Sequence, residues 1–339
     1  MTTKIGINGF GRIGRQVLKA ILEKHDKELQ VVALNSPYDV KTNAHLFRHD
    51  SIYGHFDGKV EVAGKNLKVN DKEIEIFCTR DPSDLPWKDH GVELVLECTG
   101  SLTDAQKAGA HISAGGAKKV IISAPAKGED VTIVLGVNED SYDPRRHNVI
   151  SNASCTTNGL APPVSVVHRT FGVEKGLMNT IHSFTNDQRI LDQPHKDLRR
   201  ARASSQNMIP TTTGAAKGLS LVIPDMAGRF DGFSLRVPTP TVSVVDFTVV
   251  LSKNTSTEDM QKVLKEAAEG PLKGIMGYDE EGLVSSDYIG CPLSSVVDGP
   301  FVQVLGGNFA KILAWYDNEW AYSCRLSDLA ALVAAKGFY

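Results

Sequence analysis

No two of the five cysteines, at positions 78, 98, 155, 291 and 324, lie two or three residues apart. That spacing excludes zinc ribbons and dithiol redox motifs. An odd cysteine count in a chain of 339 residues points to reduced thiols rather than a disulfide framework. No run of about 18 apolar residues occurs, so no bilayer-spanning helix is expected. No apolar leader is expected either, because Lys4 and "GINGFGRIGR" follow the start almost at once. Together these readings place the chain in the cytoplasm. An excess of charge of one sign is also lacking. The formal net charge is -3, which gives no general pull toward nucleic acid or an anionic membrane. Repeats and low-complexity segments are absent.

What is present is an ordinary globular composition, 41% hydrophobic and 23% charged, in a chain long enough for two domains. In the first half, short apolar runs alternate with helix-like stretches. "KIGING" (4–9), "LQVVALN" (29–35), "VELVLECTG" (92–100), "KKVIISAP" (118–125) and "VTIVLGVN" (131–138) read as buried strands. "GRIGRQVLKAILEKH" and residues 103–114 read as helices. Strand–helix–strand order implies an α/β, doubly wound parallel sheet, expected over residues 1–154. From about residue 176, longer alternating strands such as "GLMNTIHSF", "FSLRVP" and "VSVVDFTVVLS" follow without a helix after each. They imply an α+β domain over 155–318 with a mainly antiparallel sheet and helices on one face. "TEDMQKVLKEAAEG" is an amphipathic helix with Thr257 as its expected N-cap. Residues 183–213 are polar, basic and irregular, and a segment of that length is more often functional than idle. A last helix, about 319–339, is expected to complete the first domain.

"NGFGRIG" supplies Gly9, Gly11 and Gly14 as G-x-G-x-x-G between a strand and a helix. The first glycine permits a tight turn, the second lets backbone approach a pyrophosphate, and the third lets helix pack on strand. In that context the motif predicts a Rossmann-type dinucleotide site, against the bland alternative of a glycine turn. At the end of the second strand an acid would bind the ribose 2′-hydroxyl of NAD. "ALNSPYD" places Asn35 and Ser36 there instead. Without a carboxylate, a 2′-phosphate of roughly two negative charges meets less repulsion, so both NADP and NAD are expected, with a lean to NADP. The bland reading makes Ser36 only the residue held extended before a proline.

"SNASCTTNG" (151–159) sets Cys155 among hydroxyl and amide side chains, where a structural cysteine would sit among Val, Leu and Ile. A thiol attacks carbonyls as thiolate, and needs a base or a cationic neighbour to reach that form near neutral pH. His182 follows 27 positions later on an expected strand, and a helix beginning near 156 would itself favour the thiolate. A lone cysteine and a lone histidine are more often structural than catalytic.

Six stretches decide that question by resemblance. "INGFGRIGR", "ISNASCTTN", "HSFTNDQRILDQPHKDLRRARA", "IPTTTGAAK", "LRVPTP" and "LAWYDNEWAYS" resemble phosphorylating glyceraldehyde-3-phosphate dehydrogenase, in family order and spacing, from about residue 4 onward. The resemblance implies that Cys155 forms a thiohemiacetal with the aldehyde and then a thioester, with His182 raising its thiolate character and acting as general base. It implies that Thr185 and Arg236 bind the substrate phosphate, and that Ser154, Thr156, Arg200, Thr213 and Gly214 bind the attacking inorganic phosphate. Asn318 and Tyr322 match positions near the nicotinamide, and Arg12, Ile13, Arg80 and Ser123 match positions lining the cofactor. A homotetramer is implied, with residues 183–206 reaching a neighbouring subunit's cofactor. No metal, membrane or nucleic acid is implied for the main function.

Some positions depart from the family pattern. Ser36 stands where NAD-preferring members have Asp, and Gln193 where many have Leu. Gly159 replaces a frequent second cysteine, and Phe184 and Ala321 replace Tyr and Gly. Erythrose-4-phosphate dehydrogenase shares the cysteine and histidine but hydrolyses its thioester with water. Retention of "TTTG" at 211–214 favours a working phosphate site. The remaining alternative is a cofactor-binding interaction protein without catalysis.

Overall fold

The computed structural model describes residues 2–339. They divide into two compact units. The first comprises residues up to Ile133, Asp140–Ala153 and Ser323–Tyr339, and the second Val134–Glu139 and Ser154–Tyr322.

The first unit is built on a nine-stranded sheet. Its strand Thr3–Asn8 pairs in parallel with Leu29–Asn35 on one side and Leu94–Glu97 on the other. Lys119–Ile122, Val149–Ser151 and Val131–Thr132 continue the parallel set. The strand order therefore reverses at Thr3–Asn8, where open α/β sheets hold ligands beyond the carboxyl ends of their strands. The strands are largely apolar inside because both faces are covered: Ile5, Ile7, Leu34, Val95 and Ile121 are buried, with polar Asn8, Asn35 and Glu97 buried at the carboxyl ends.

Several elements differ from the sequence expectation. The run 131–138 is a strand only over Val131–Thr132, because Gly136 takes a positive φ and the chain turns. The expected helix over 103–114 is two short pieces, Ala105–Ala108 and Ala110–Ser113, parted at Gly109. The helix Val40–Arg48 and the antiparallel meander of Val60–Ala63, Asn66–Val69 and Lys72–Phe77 were not anticipated. The last helix is Trp320–Lys336, and within the first unit its Asp328 lies 2.7 Å from His25 Nε2. Cys78 is exposed.

The second unit carries an eight-stranded sheet in which antiparallel pairs predominate. Two pairs are parallel, Val173–Ser183 with Phe230–Val237 and Met276–Asp279 with Ser295–Asp298. Alternation along Val173–Ser183 buries Met178, Thr180 and His182 and turns Leu177 outward. The helices Cys155–Phe171, Ala215–Val222 and Thr257–Glu269 pack on the sheet and on one another. The N-cap of the last is Ser256, whose hydroxyl accepts from Asp259 N–H; Thr257 is the first helical residue, and its hydroxyl accepts from Val304 N–H instead. Residues 184–208 run without a regular helix or strand.

Candidate active site

The three glycines of the first loop have three separate physical reasons. Gly9 has φ +94, and a Cβ there would lie 2.7 Å from Thr99 N. A Cβ on Gly14 would lie 2.1 Å from Gly9 O, so the helix Arg12–Lys24 could not seat on the strand. At Gly11 a Cβ would meet nothing within 4 Å. A tight turn, a close packing and an open approach at the start of a helix suit a pyrophosphate, whose charge the helix amides favour. Beside the loop, Arg12 pairs with buried Asp50 at 2.7 Å. That pairing and amides donating from Ile52 and Tyr53 hold the carboxyl below its usual range, against the cost of burial.

Asn35 is a tie between strands. Its Nδ2 donates to Asn8 Oδ1 at 2.8 Å and to Thr79 O at 2.9 Å, and its Oδ1 accepts from Thr79 N–H at 3.0 Å. Ser36 is only 1% exposed. Its hydroxyl donates to Asn43 Oδ1 at 3.0 Å and accepts from Tyr38 N–H at 3.3 Å, so Ser36 closes a turn as well as withholding a carboxylate. Ile13 and Ser123 are half-buried, and Arg80 is exposed beside a cleft that also includes Lys107.

In the second unit, Ser154 caps the helix Cys155–Phe171: its Oγ accepts from Thr157 N–H at 2.9 Å. Cys155 is thereby the first helical residue, at the positive end of the helix dipole. His182 comes from the strand Val173–Ser183, and its Nε2 lies 3.5 Å from the Cys155 sulfur. Arg236 is the register partner of His182 on the neighbouring parallel strand. Its Nη1 lies 2.9 Å from His182 Nδ1 and donates to Ser183 O at 3.1 Å, while His182 Nδ1 lies 2.7 Å from Ser183 O. Strand register, and not chance side-chain packing, brings these groups together.

Burial pushes the Cys155 thiol up, and the Arg236 guanidinium pulls the other way. Burial and the same guanidinium push His182 down to about 3. Burial disfavours charge on both groups, and the Arg236 guanidinium favours the thiolate while it disfavours the imidazolium. The start of the helix Cys155–Phe171 adds a dipole that favours the thiolate, against the burial. The arrangement suits proton transfer during attack.

The other expected site residues are placed as follows. Thr156 and Thr180 hydroxyls lie 3.0 and 2.8 Å from the Tyr316 hydroxyl, whose ring meets His182 nearly edge-on. Arg200 donates to Thr211 Oγ1 at 2.9 Å and pairs with Asp187. Thr213 Oγ1 accepts from Ala215 N–H beside Gly214, which opens the helix Ala215–Val222. Thr185 N–H donates to Gln188 Oε1 at 3.3 Å. Asn318 Oδ1 accepts from Ser183 and Ser243 hydroxyls at 2.8 and 3.0 Å. Tyr322 is buried. Tyr316 and Asp187 were not singled out from sequence, although both lie inside quoted motifs; only their partners reveal what they do. Gly159 has a reason too, since a Cβ there would come within 3.0 Å of the Tyr316 ring. Among the described residues, no group of three or more His, Cys, Asp or Glu is placed to hold a metal ion. No described helix is long and apolar enough to cross a membrane.

The family described as glyceraldehyde 3-phosphate dehydrogenase, C-terminal domain, matches residues 154–318, and its NAD binding domain matches residues 3–105. The chain belongs to the glyceraldehyde-3-phosphate dehydrogenase family. It is 55% identical over 337 residues to the glyceraldehyde-3-phosphate dehydrogenase of Geobacillus stearothermophilus, covering 99% of this chain and 100% of that one. To the enzyme of that name from Priestia megaterium it is 56% identical over the same shares of both chains. Glyceraldehyde-3-phosphate dehydrogenase 1 of Bacillus subtilis is 54% identical, again over 99% of this chain and 100% of the relative. As a member of this family the chain is an oxidoreductase with an NAD-binding domain and a catalytic cysteine, Cys155.

Proposed function

We propose that the protein oxidises D-glyceraldehyde 3-phosphate to 1,3-bisphosphoglycerate, using inorganic phosphate. The observation that carries this reading is the Cys155 sulfur 3.5 Å from His182 Nε2, with the Arg236 guanidinium on the far nitrogen of the same ring. As sulfur adds to the aldehyde carbon, His182 Nε2 takes the thiol proton and the carbonyl electron pair moves to oxygen. The dinucleotide, when bound, accepts the hydride that leaves the thiohemiacetal carbon. Attack of phosphate on the resulting thioester returns sulfur to Cys155, a good leaving group for the same reason that it is a good nucleophile. Arg236 and Thr185 bind the substrate phosphate. Ser154, Thr156, Arg200, Thr213 and Gly214 bind inorganic phosphate, with Arg200 released from Asp187 to do so.

Gly9, Gly11, Arg12, Ile13, Gly14, Asn35, Ser36, Arg80 and Ser123 hold the dinucleotide, and Asn318 and Tyr322 the nicotinamide end. Both NADP and NAD serve, because position 36 carries no charge to repel a 2′-phosphate. The active form is a homotetramer. In support, the second unit's sheet leaves Phe233 50% exposed, and Leu177 67% and Phe309 48% exposed around a cavity of about 660 Å³ that contains neither Cys155 nor His182. The irregular 184–208 segment exposes Ile190, Leu191 and Leu198. Initial rates with each cofactor, with and without phosphate, test the reading. Oxidation that runs equally fast in water alone would make the protein a thioester hydrolase instead. A monomer in sedimentation at micromolar concentration would contradict the assembly.

A further inference from the structure

Ser36 follows the strand Leu29–Asn35, where a ribose-binding carboxylate would stand, yet its side chain is closed to a ligand. It is 1% exposed, its O–H donates to Asn43 Oδ1 at 3.0 Å, and its oxygen accepts from Tyr38 N–H at 3.3 Å. Its backbone N–H donates to Phe77 O at 2.9 Å on the neighbouring strand. Asn43, equally buried, donates to Tyr38 O at 2.9 Å and to Asp39 O at 3.1 Å. These bonds fold the next residues outward, so Pro37, Tyr38, Asp39 and Lys41 make the exposed surface at this strand end. The group that meets a ribose there is one of them.

Asp39 is the one acid among residues 36–41. It caps the helix Val40–Arg48: its Oδ1 accepts from Lys41 N–H at 2.9 Å and Thr42 N–H at 3.1 Å, and its Oδ2 from the Thr42 hydroxyl at 2.7 Å. The amides that a phosphate would seek at this helix start are therefore already taken. The charge is also fixed, because the hydroxyl and amide of Thr42, with the amide of Lys41, hold the carboxyl below its usual range. A carboxylate offers about four acceptor positions, and these contacts use three of them. One is left for a hydroxyl.

We propose that Asp39 sets the ratio of NADP to NAD: its carboxylate repels a 2′-phosphate and accepts from the 2′-hydroxyl that NAD presents instead. This rests on the reading of this strand end as the ribose end of the dinucleotide site, and adds the residue that discriminates there. The uncharged position 36 admits both cofactors, and the carboxylate three positions on makes them unequal. A 2′-phosphate carries roughly two negative charges, so an exposed carboxylate opposes it through solvent that screens the repulsion without abolishing it. Other charges stand at the same strand ends. Lys41 is exposed beside Asp39 and offsets part of the repulsion. Arg80 and Asp81 are exposed on the loop that Asn35 ties through Thr79. Asp81 is the matched control, since its Oδ1 likewise caps a turn, accepting from Ser83 N–H at 2.9 Å, but on the other loop.

The test titrates the full chain with NAD and with NADP, in wild type, Asp39→Asn, Asp81→Asn and Ser36→Asp. Asn caps a helix about as well as Asp, so Asp39→Asn removes the charge and keeps the turn. Asp39→Ser, with another capping residue, stands in if that variant does not fold. In Asp39→Asn, NADP binds at least about threefold tighter and NAD no tighter, the modest effect of an exposed charge. The gain fades between about 0.02 and 0.5 M salt, because ions screen exposed charges. Asp81→Asn leaves the ratio where it was. An unchanged ratio in Asp39→Asn, while Ser36→Asp moves it toward NAD, overturns the role of Asp39 and keeps the ribose reading. An equal gain in Asp81→Asn makes the effect one of general charge, and a gain that survives high salt makes it one of shape; either overturns the proposal. A ratio that neither Asp39→Asn nor Ser36→Asp moves overturns the ribose reading itself, and the inference with it.

Discussion

The glycine loop of the first unit is shaped by backbone, whereas the cluster around Cys155 in the second is assembled from side chains far apart in sequence. Gly9, Gly11 and Gly14 span six residues, and each is fixed by what a Cβ would strike or leave open. Cys155, His182 and Arg236 span more than eighty residues, and meet because one is the first residue of a helix and the others are partners in strand register. Adding atoms ruins a site of the first kind, and trimming them ruins the second. Damage in one need not reach the chemistry of the other.

The largest effect expected is at the sulfur. Cys155→Ser leaves the cap at Ser154 and the loop at Gly9 in place but removes an ionisable thiol, so aldehyde oxidation falls more than about a hundredfold while dinucleotide binding persists. A serine variant that keeps more than that, or that loses cofactor affinity in parallel, breaks the separation. Next comes Gly14→Ala. Its Cβ would sit 2.1 Å from Gly9 O, so the first unit loses about 1–3 kcal/mol in denaturant titrations and cofactor affinity falls with it. Gly11→Ala meets no neighbour, so it weakens the dinucleotide at nearly unchanged stability. Equal stability losses for the two would show that the loop is not shaped as described.

The catalytic cluster has a pH effect of its own. His182 is pushed from an ordinary histidine value near 6.5 down to about 3, so between those values the unfolded chain binds a proton that the folded chain refuses. Stability is unaffected above pH 6.5 and declines as pH falls toward 3, by at most roughly 1.4 kcal/mol per pH unit from this group. His182→Asn removes that slope, and urea titrations at stepped pH read the difference; an unchanged slope means that the ring is not held neutral by burial. The smallest effect is at Ser36. Ser36→Asp restores repulsion against a 2′-phosphate and offers the 2′-hydroxyl of NAD a charged acceptor, which moves the cofactor ratio at least about tenfold toward NAD. Because Ser36 faces Asn43 Oδ1, the carboxylate must turn outward or the Asn43 amide must flip. An unchanged ratio would locate the preference in other residues.

The same contrast explains what could be read before any coordinates. The glycine spacing, the strand Leu29–Asn35 and the alternation that buries His182 are local signals, and they stand in the chain as periodicity and residue type. The antiparallel meander from Val60 to Phe77 is a different matter: its strands are short, end the sheet at Val60–Ala63, and carry no strong apolar run. Ser256 rather than Thr257 caps its helix because two adjacent hydroxyl residues offer the same side chain, and only Val304 decides which is free to cap. At the site, Cys155 and His182 were nameable by resemblance. The contact between His182 and Arg236 was not, because a strand register that spans 54 residues leaves no mark at either position.

The central claim is that Cys155 carries the substrate covalently. The enzyme is mixed with glyceraldehyde 3-phosphate and oxidised cofactor in phosphate-free buffer, quenched in acid, digested and read by mass spectrometry. An acyl thioester on the peptide that holds Cys155, formed at about one per chain and discharged when phosphate is added before the quench, is the result predicted. No adduct, or an adduct on Cys78, Cys98, Cys291 or Cys324 instead, would contradict it.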